Sequence, residues 1–254
     1  MKRFKYRIED LAVSKKTRLI LALDPVGVDS SKLEDYALCM LERLSDYICG
    51  VKLNWHLLLP LSLNELYRIT SKAHKHGVQC IADCKLNDIG STNEVAVRYL
   101  MDAGFDAITV NPFIGWSDGV DVIAREVNAR YGGVLPLIYM SHRGASEGYG
   151  RIVLDGGYQQ PFYKIFAYRA LEWGCDGAIV GATRIDVIRE VYDILGEDIP
   201  IYSPGVGVQG GSAIEAVRAG AKYIITGRSI LCSQSPEEEA RRLTKLIHSA
   251  LSSP

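Results

Sequence analysis

The chain has 254 residues, of which 48% are hydrophobic and 23% are charged, and its formal net charge is −1. This composition is typical of a globular protein, and the balanced charge argues against a surface for nucleic acid or membrane. Residues 1–10 lack the hydrophobic segment of a signal peptide, and no apolar run reaches the length of a membrane span. The sequence therefore predicts a soluble, cytoplasmic protein.

Eight strand-like runs alternate with helical patterns along the chain. The predicted strands span 18–24, 48–54, 79–85, 107–111, 135–140, 177–181, 199–203 and 223–226. The predicted helices span 32–45, 63–76, 92–103, 120–131, 161–173, 185–195, 212–219 and 236–251. Ser91 and Glu94 have the spacing of a capping box at the start of the third helix.

Eight strand–helix units without a change of composition predict an α/β protein with a (β/α)8 TIM barrel as one domain over residues 1–254. Residues 1–17 precede the first strand and form an N-terminal extension. A doubly wound open sheet is the alternative. Polar residues at strand ends favour the barrel, because there they would meet at one mouth. These residues are Asp24, Lys52, Asp83, Lys85, Ser141 and Arg228.

Residues 143–160 follow the fifth strand without a clear helical or strand period. Such a long connection is unusual in a barrel, so we expect a functional or mobile loop. The six cysteines form no C-x-x-C pair, and Cys80 and Cys84 have no histidine at metal-ligand spacing. His74 and His76 diverge around a predicted helix, so we expect no metal site.

Residues 83–93 read D-C-K-L-N-D-I-G-S-T-N after a buried strand. Because strand side chains alternate, Asp83 and Lys85 should point the same way, with Asp88 in the same turn. Buried charges of this kind must pair with each other or with a ligand. Nearby carboxylates keep Lys85 an ammonium, which can donate a proton. Asp83 would repel an anionic substrate group, so the segment suits a decarboxylation.

The segment 205–210 reads G-V-G-V-Q-G and fits the dinucleotide-binding pattern G-x-G-x-x-G. It falls in the seventh unit, however, and Gly227-Arg228 rather than an acidic residue ends the next strand. Loops after strands seven and eight of a barrel often bind phosphate through backbone N–H groups. Arg228 can add two hydrogen bonds to the same phosphate. An NADP-dependent oxidoreductase is a distant alternative.

The segment from Asp83 to Thr92 closely resembles the D-x-K-x-x-D-I-x-x-T signature of the orotidine 5′-monophosphate decarboxylase family. Further similarities follow in family order between residues 18 and 230. They are Leu21-Ala22-Leu23-Asp24, Val51-Lys52, Met140-Ser141-His142, the segment 203–211, and Thr226-Gly227-Arg228-Ser229.

The resemblance implies that a homodimer converts orotidine 5′-monophosphate to uridine 5′-monophosphate without a metal or an organic cofactor. It implies that Lys85 protonates the ring carbon that loses carbon dioxide, beside Asp83. Each subunit would supply Asp88 and Thr92 to the site of the other. The implied catalytic residues are Lys52, Asp83, Lys85 and Asp88. The implied substrate-binding residues are Asp24, Lys52, Asp88, Ile89, Thr92, Ser141, Pro204, Val206, Gln209, Gly227 and Arg228.

Two alternatives remain open. A magnesium-dependent sugar-phosphate lyase or decarboxylase, such as hexulose-6-phosphate synthase, shares the D-x-K-x-x-D pattern. The extension to Ile89 and Thr92, together with Gln209, favours the nucleotide enzyme. A non-catalytic nucleotide-binding barrel is the second alternative, and the intact Asp83, Lys85 and Asp88 argue against it.

Overall fold

Short runs of aliphatic side chains form the strands of a closed parallel barrel in the computed structural model, which describes residues 2–252. Going around the barrel the order is β1-β10-β9-β8-β5-β4-β3-β2. The predicted (β/α)8 barrel is therefore confirmed. The strands are β1 Leu19–Ala22, β2 Gly50–Leu53, β3 Gln79–Leu86, β4 Ala107–Val110, β5 Gly133–Tyr139, β6 Ile152–Asp155, β7 Tyr158–Pro161, β8 Ala178–Val180, β9 Ile201–Pro204 and β10 Ala221–Thr226.

Helices cover the outside of the barrel and one of its ends. Their apolar faces pack on the strands, whose own side chains are buried on both faces. None of the helices within residues 2–252 is long and apolar enough to cross a membrane. The helices are α1 Phe4–Ser14, α2 Leu33–Leu44, α3 Trp55–Leu58, α4 Leu63–Lys75, α5 Gly90–Asp102, α6 Asp121–Asn128, α7 Ala145–Gly148, α8 Phe162–Glu172, α9 Ile185–Leu195, α10 Ala213–Arg218, α11 Arg228–Leu231 and α12 Pro236–Ser252.

Helix α1 covers the end of the barrel at which the strands begin. Its Phe4 and Ile8 are fully buried and join the cluster that fills the barrel interior. The Phe4 ring stacks on Tyr202, whose ring stacks in turn on Tyr223. A Cβ atom at Gly133 would lie 2.5 Å from the Phe4 ring, so only glycine allows this close approach at the start of β5. The helix thereby closes the barrel floor.

Ion pairs join α1 to the barrel. Arg7 lies 2.7 Å from Asp106, and the second oxygen of Asp106 lies 2.8 Å from Nε2 of His74. The fold brings Cys80 to the same point, so three side chains stand at metal-ligand spacing despite their separation in sequence. Burial raises the pKa of the Cys80 thiol well above its usual value. The guanidinium of Arg7 forms an ion pair with the Asp106 carboxylate. We therefore assign the cluster a structural role.

Glu9 of α1 forms a second ion pair with Arg18, and this pair predicts how stability depends on pH. Hydrogen bonds from Arg18 outweigh burial and lower the pKa of Glu9 from 4.5 to about 2. A carboxylate whose pKa is lowered by folding stabilises the fold at pH values above its pKa in the unfolded chain. This contribution is lost as the pH falls from about 4.5 towards 2. We expect Glu9→Gln to be less stable than wild type at pH 7, with the difference vanishing near pH 2. Denaturant unfolding across this range measures it.

The matched control for this variant is Glu172→Gln, because Glu172 is an exposed glutamate at the end of α8. It should follow the wild-type curve at every pH. A destabilisation by Glu9→Gln that is equally large at pH 2 and pH 7 would contradict the electrostatic account.

The predicted capping box at Ser91 and Glu94 is wrong. Helix α5 begins at Gly90, and its N-cap residue Ile89 makes no side-chain cap. The start is fixed instead by the Asn93 side chain, which donates to the backbone carbonyl of Asp88, while Glu94 pairs with Arg98.

Residues 143–160 are not irregular although no helical or strand period marks them, and their role as a functional or mobile loop stays a prediction. The segment contains α7 and an antiparallel hairpin made of β6 and β7. Gly156 and Gly157 both have positive φ and form its two-residue turn. Most of the hairpin is exposed, so its strands lack the apolar pattern from which strands are predicted.

Candidate active site

The carboxyl ends of the barrel strands surround a cavity of about 490 Å³. This is where a parallel barrel places loop residues from several strands next to one another. Most of the residues selected from the sequence line this one cavity. They are Asp24, Lys52, Asp83, Lys85, Ser141, Pro204, Val206, Gln209, Gly227 and Arg228.

A lysine–aspartate–lysine array forms the charged wall of the cavity. Lys52 donates to Oδ2 of Asp83 at 2.5 Å, and Lys85 donates to Oδ1 at 2.7 Å. Burial alone would raise the pKa of Asp83, but the two ammonium groups outweigh it and hold that pKa below its usual value. Burial alone would lower the pKa of Lys52, but Asp83 and Asp24 outweigh it and raise that pKa. Asp83 and Lys52 are therefore both charged.

A break in the β3–β4 register aims Lys85 at the cavity. The register shifts between Ala82 and Leu86, and Lys85 has a φ of +49°. Left-handed backbone is uncommon for a residue with a side chain and often marks a functional position. Asp83 and Lys85 meet as predicted, but they do so through this irregularity rather than through simple strand alternation.

The opposite part of the cavity is rich in glycine. Gly205, Gly207 and Gly210 all have positive φ, which favours residues without a side chain. A Cβ atom at Gly205 would lie 2.7 Å from Oε1 of Gln209 and 2.9 Å from Cβ of Ser141. Glycine at this position therefore allows the Ser141 and Gln209 side chains to approach the same point in the cavity.

Two polar atoms of the cavity wall are buried and lack a hydrogen-bond partner within the described part of the chain. They are Oδ1 of Asp24 and Oγ of Ser229. Buried polar groups are nearly always paired, so each of these atoms is suited to bind a polar ligand group. The cavity thus offers a carboxylate near the array and a hydroxyl next to Arg228.

The Orotidine 5′-phosphate decarboxylase / HUMPS family model matches residues 17–243. The chain belongs to this family. Among curated relatives, the orotidine 5′-phosphate decarboxylase of Pyrococcus abyssi is 34% identical over 225 residues, which cover 89% of this chain and 96% of the relative. The enzyme of Thermococcus kodakarensis is 35% identical over 235 residues, which cover 91% and 97%.

Solved structures of orotidine 5′-phosphate decarboxylases have the same barrel. The structure from Pyrococcus horikoshii has a TM-score of 0.73 at 34% identity and covers 90% of this chain and 98% of its own. The structure from Methanocaldococcus jannaschii in complex with the inhibitor BMP has a TM-score of 0.76 at 27% identity, with 91% and 98% covered.

Three residues of the family signature do not line the cavity of their own chain. Asp88, Ile89 and Thr92 are exposed after the carboxyl end of β3. The carboxylate of Asp88 accepts the N–H of the next residue at 2.7 Å. The prediction that Asp88 converges with Asp83 and Lys85 is therefore wrong within a single chain, because the chain leaves the mouth after β3.

Sequence reasoning missed several residues of the site. Asn54 lines the cavity two positions after Lys52, so strand alternation could have identified it. Ser229 directly follows Arg228 and could have been read with it. Thr109 contacts Asp83 from β4, but a threonine within a strand carries no signal because this residue type is common in strands.

Proposed function

We propose that this protein is a carboxy-lyase that converts orotidine 5′-monophosphate to uridine 5′-monophosphate and carbon dioxide in pyrimidine biosynthesis. The observation that carries the proposal is the array of Lys52, Asp83 and Lys85 in the same cavity as Arg228 and a glycine-rich loop. A mononucleotide carries an anion at one end and a base at the other, so it suits a cavity with these two regions. The names of the curated relatives support the same substrate.

The charged array accounts for the chemical step. The substrate carboxylate would lie against Asp83, where the two negative charges repel each other. When the bond to the carboxyl carbon breaks, carbon dioxide leaves and its electron pair stays on the ring carbon. The ammonium of Lys85 gives a proton to that carbon, and solvent then returns a proton to the amine. Because Lys52 and Lys85 are fixed before the reaction begins, they stabilise the developing carbanion with little reorganisation.

The remaining cavity residues would hold the nucleotide in place. Arg228 and the backbone N–H of Gly227 suit the phosphate, and Ser141 and Gln209 suit the pyrimidine. The free oxygen of Asp24 can accept a hydrogen bond from a ribose hydroxyl. Binding energy from these distant groups would position the reacting carbon next to Lys85.

We further propose that the working enzyme is a cytoplasmic homodimer. The exposed side chains of Asp88, Ile89 and Thr92 do not line the cavity of their own chain. With β3 and α5 as they stand, these side chains can reach a cavity only in a second copy of the chain. Large apolar side chains are exposed on the same side of the barrel, just before α5, within it and after β4. Exposed apolar side chains grouped in this way are typical of an interface. The side chains are Ile89, Val95, Tyr99, Phe113 and Trp116.

Mixing two inactive variants tests the shared site. In a mixed dimer of Lys85→Ala and Asp88→Ala, one cavity has both defects and the other has neither. Random exchange of subunits makes half of the dimers mixed, so about a quarter of wild-type activity should return. The decarboxylation rate after subunit exchange in mild denaturant measures this recovery.

Lys85→Ala mixed with Asp83→Ala is the matched control. Both residues belong to the cavity of their own chain, so every cavity in such a mixture has one defect and activity should not return. Equal recovery in the two mixtures would contradict a site shared between subunits.

Decarboxylation in the presence of a chelator tests the proposed substrate and the proposed independence from metals together. The two ammonium groups beside Asp83 repel a divalent cation, so we expect the same rate of orotidine 5′-monophosphate loss with and without EDTA. The change in absorbance of the pyrimidine follows the reaction. Activity on a sugar phosphate that EDTA abolishes would instead favour the magnesium-dependent branch of the family, and tight binding of uridine 5′-monophosphate without turnover would favour a binding protein.

A further inference from the structure

Thr109 lies in β4, next to β3, and its side chain is almost completely buried. Its hydroxyl accepts the backbone N–H of Lys85 at 2.9 Å and lies 3.0 Å from Oδ1 of Asp83. The hydroxyl has one proton to donate and two possible acceptors. The Asp83 carboxylate is the nearer one, and the carbonyl of Ala82 lies farther away at 3.4 Å. The carboxylate takes the proton, because a charged acceptor forms the stronger hydrogen bond.

The same hydroxyl therefore contacts both residues of the D-x-K motif. It accepts from Lys85 at the point where the β3–β4 register is broken and where Lys85 has left-handed backbone. Such a conformation persists only when the surrounding structure holds it in place. The hydroxyl also gives Asp83 a third donor, in addition to the ammonium groups of Lys52 and Lys85.

We propose that Thr109 is a positioning residue for the proposed decarboxylation, on which this inference rests. Thr109 does not line the cavity, so it acts on the substrate only through its neighbours. Without the hydroxyl, the Asp83 carboxylate keeps only its two lysine donors, and the backbone N–H of Lys85 loses the acceptor that holds its left-handed conformation. The proton donor then moves away from the reacting carbon, and displacements of about 1 Å at such a point are costly for catalysis.

Thr109→Val removes the hydroxyl and keeps the shape of the side chain. We expect kcat to fall about 10- to 100-fold, less than for the loss of a donor that contacts the reacting atoms directly, while the Kd for uridine 5′-monophosphate stays within about twofold. Thr109→Ser should restore most of kcat. Thr70→Val is the matched control, because Thr70 is also fully buried and hydrogen-bonded but lies in α4, outside the cavity. It should lose stability and leave kcat unchanged.

Amide hydrogen exchange gives a second measurement that does not depend on turnover. The Lys85 amide should be protected in wild type and in Thr109→Ser, and it should exchange at least about tenfold faster in Thr109→Val. A Thr109→Val enzyme with wild-type kcat would overturn the proposal. So would a Thr109→Ser enzyme as slow as Thr109→Val, or a Lys85 amide in wild type that exchanges like an exposed one.

The two proposals fail in different ways. A wild-type protein that does not decarboxylate orotidine 5′-monophosphate ends the proposed function, whereas the exchange of the Lys85 amide still decides whether Thr109 holds the motif. A wild-type protein that does decarboxylate, combined with an unchanged Thr109→Val, ends only the assignment of Thr109.

Discussion

Lys85→Ala is expected to lower kcat by about 10³-fold or more while the protein still binds uridine 5′-monophosphate. The substitution removes the proton donor and one of the two positive charges beside Asp83. It leaves Arg228 and the glycine-rich loop in place, so the contacts to the nucleotide survive. Single-turnover decarboxylation gives the rate of the chemical step, and titration calorimetry gives the Kd for the product.

Lys72→Ala is the control for the loss of a lysine charge. Lys72 pairs with Glu42 on the protein surface, away from the cavity, so its removal should leave kcat within about twofold of wild type. A Lys85→Ala enzyme that retains more than a tenth of wild-type kcat would exclude Lys85 as the proton donor.

Asp83→Ala is expected to damage stability as well as catalysis. The substitution leaves the buried ammonium of Lys52 without its nearest partner, and breaking a buried ion pair on one side typically costs about 3–5 kcal/mol. The decarboxylation rate should fall about 10²- to 10³-fold, because the two lysines lose the group that orders them. Urea unfolding and single-turnover rates measure the two effects on the same preparation.

The dependence on pH separates this effect from a simple packing defect. The pKa of Asp83 is lowered in the folded protein, so its ion pairs stabilise the fold above the ordinary carboxyl value of 3.8 and are lost as the pH falls below it. The stability difference between wild type and Asp83→Ala should therefore be constant near neutral pH and shrink in acid. Asp10→Ala, which removes an exposed pair with Lys2, should change stability by less than about 1 kcal/mol throughout. A stability difference of about 3–5 kcal/mol between wild type and Asp83→Ala that does not shrink as the pH falls below 3.8 would point to packing instead.

The local sequence was sufficient to predict those features that are formed by a single segment of the chain. The eight apolar runs predicted the barrel, because a strand buried on both faces needs an uninterrupted apolar sequence. The positions of Asp83, Lys85, Ser141 and Arg228 followed in the same way. Each of them lies within three residues of the carboxyl end of a strand, and in a closed barrel all these ends meet at one mouth.

Features that the apolar pattern of the sequence does not mark were missed or wrong. The cluster of His74, Cys80 and Asp106 is assembled from α4, from β3 and from the residue that precedes β4. The β6–β7 hairpin escaped prediction because it stands outside the core and buries little apolar surface. The sequence predicts Asp88 beside Lys85 because the two are close along the chain, but Asp88 is exposed and does not line the cavity.

The amino-acid sequence by itself determined the fold and the identity of most of the charged residues of the site, since both are written in short segments around the strand ends. Only the tertiary structure decided which groups Asp83 meets. Lys52 and Thr109 reach it from the two strands that flank β3, so their contacts depend on the pairing of β2 with β3 and on the register break between β3 and β4. Strand register is a property of the packed barrel, and no single segment of the chain encodes it.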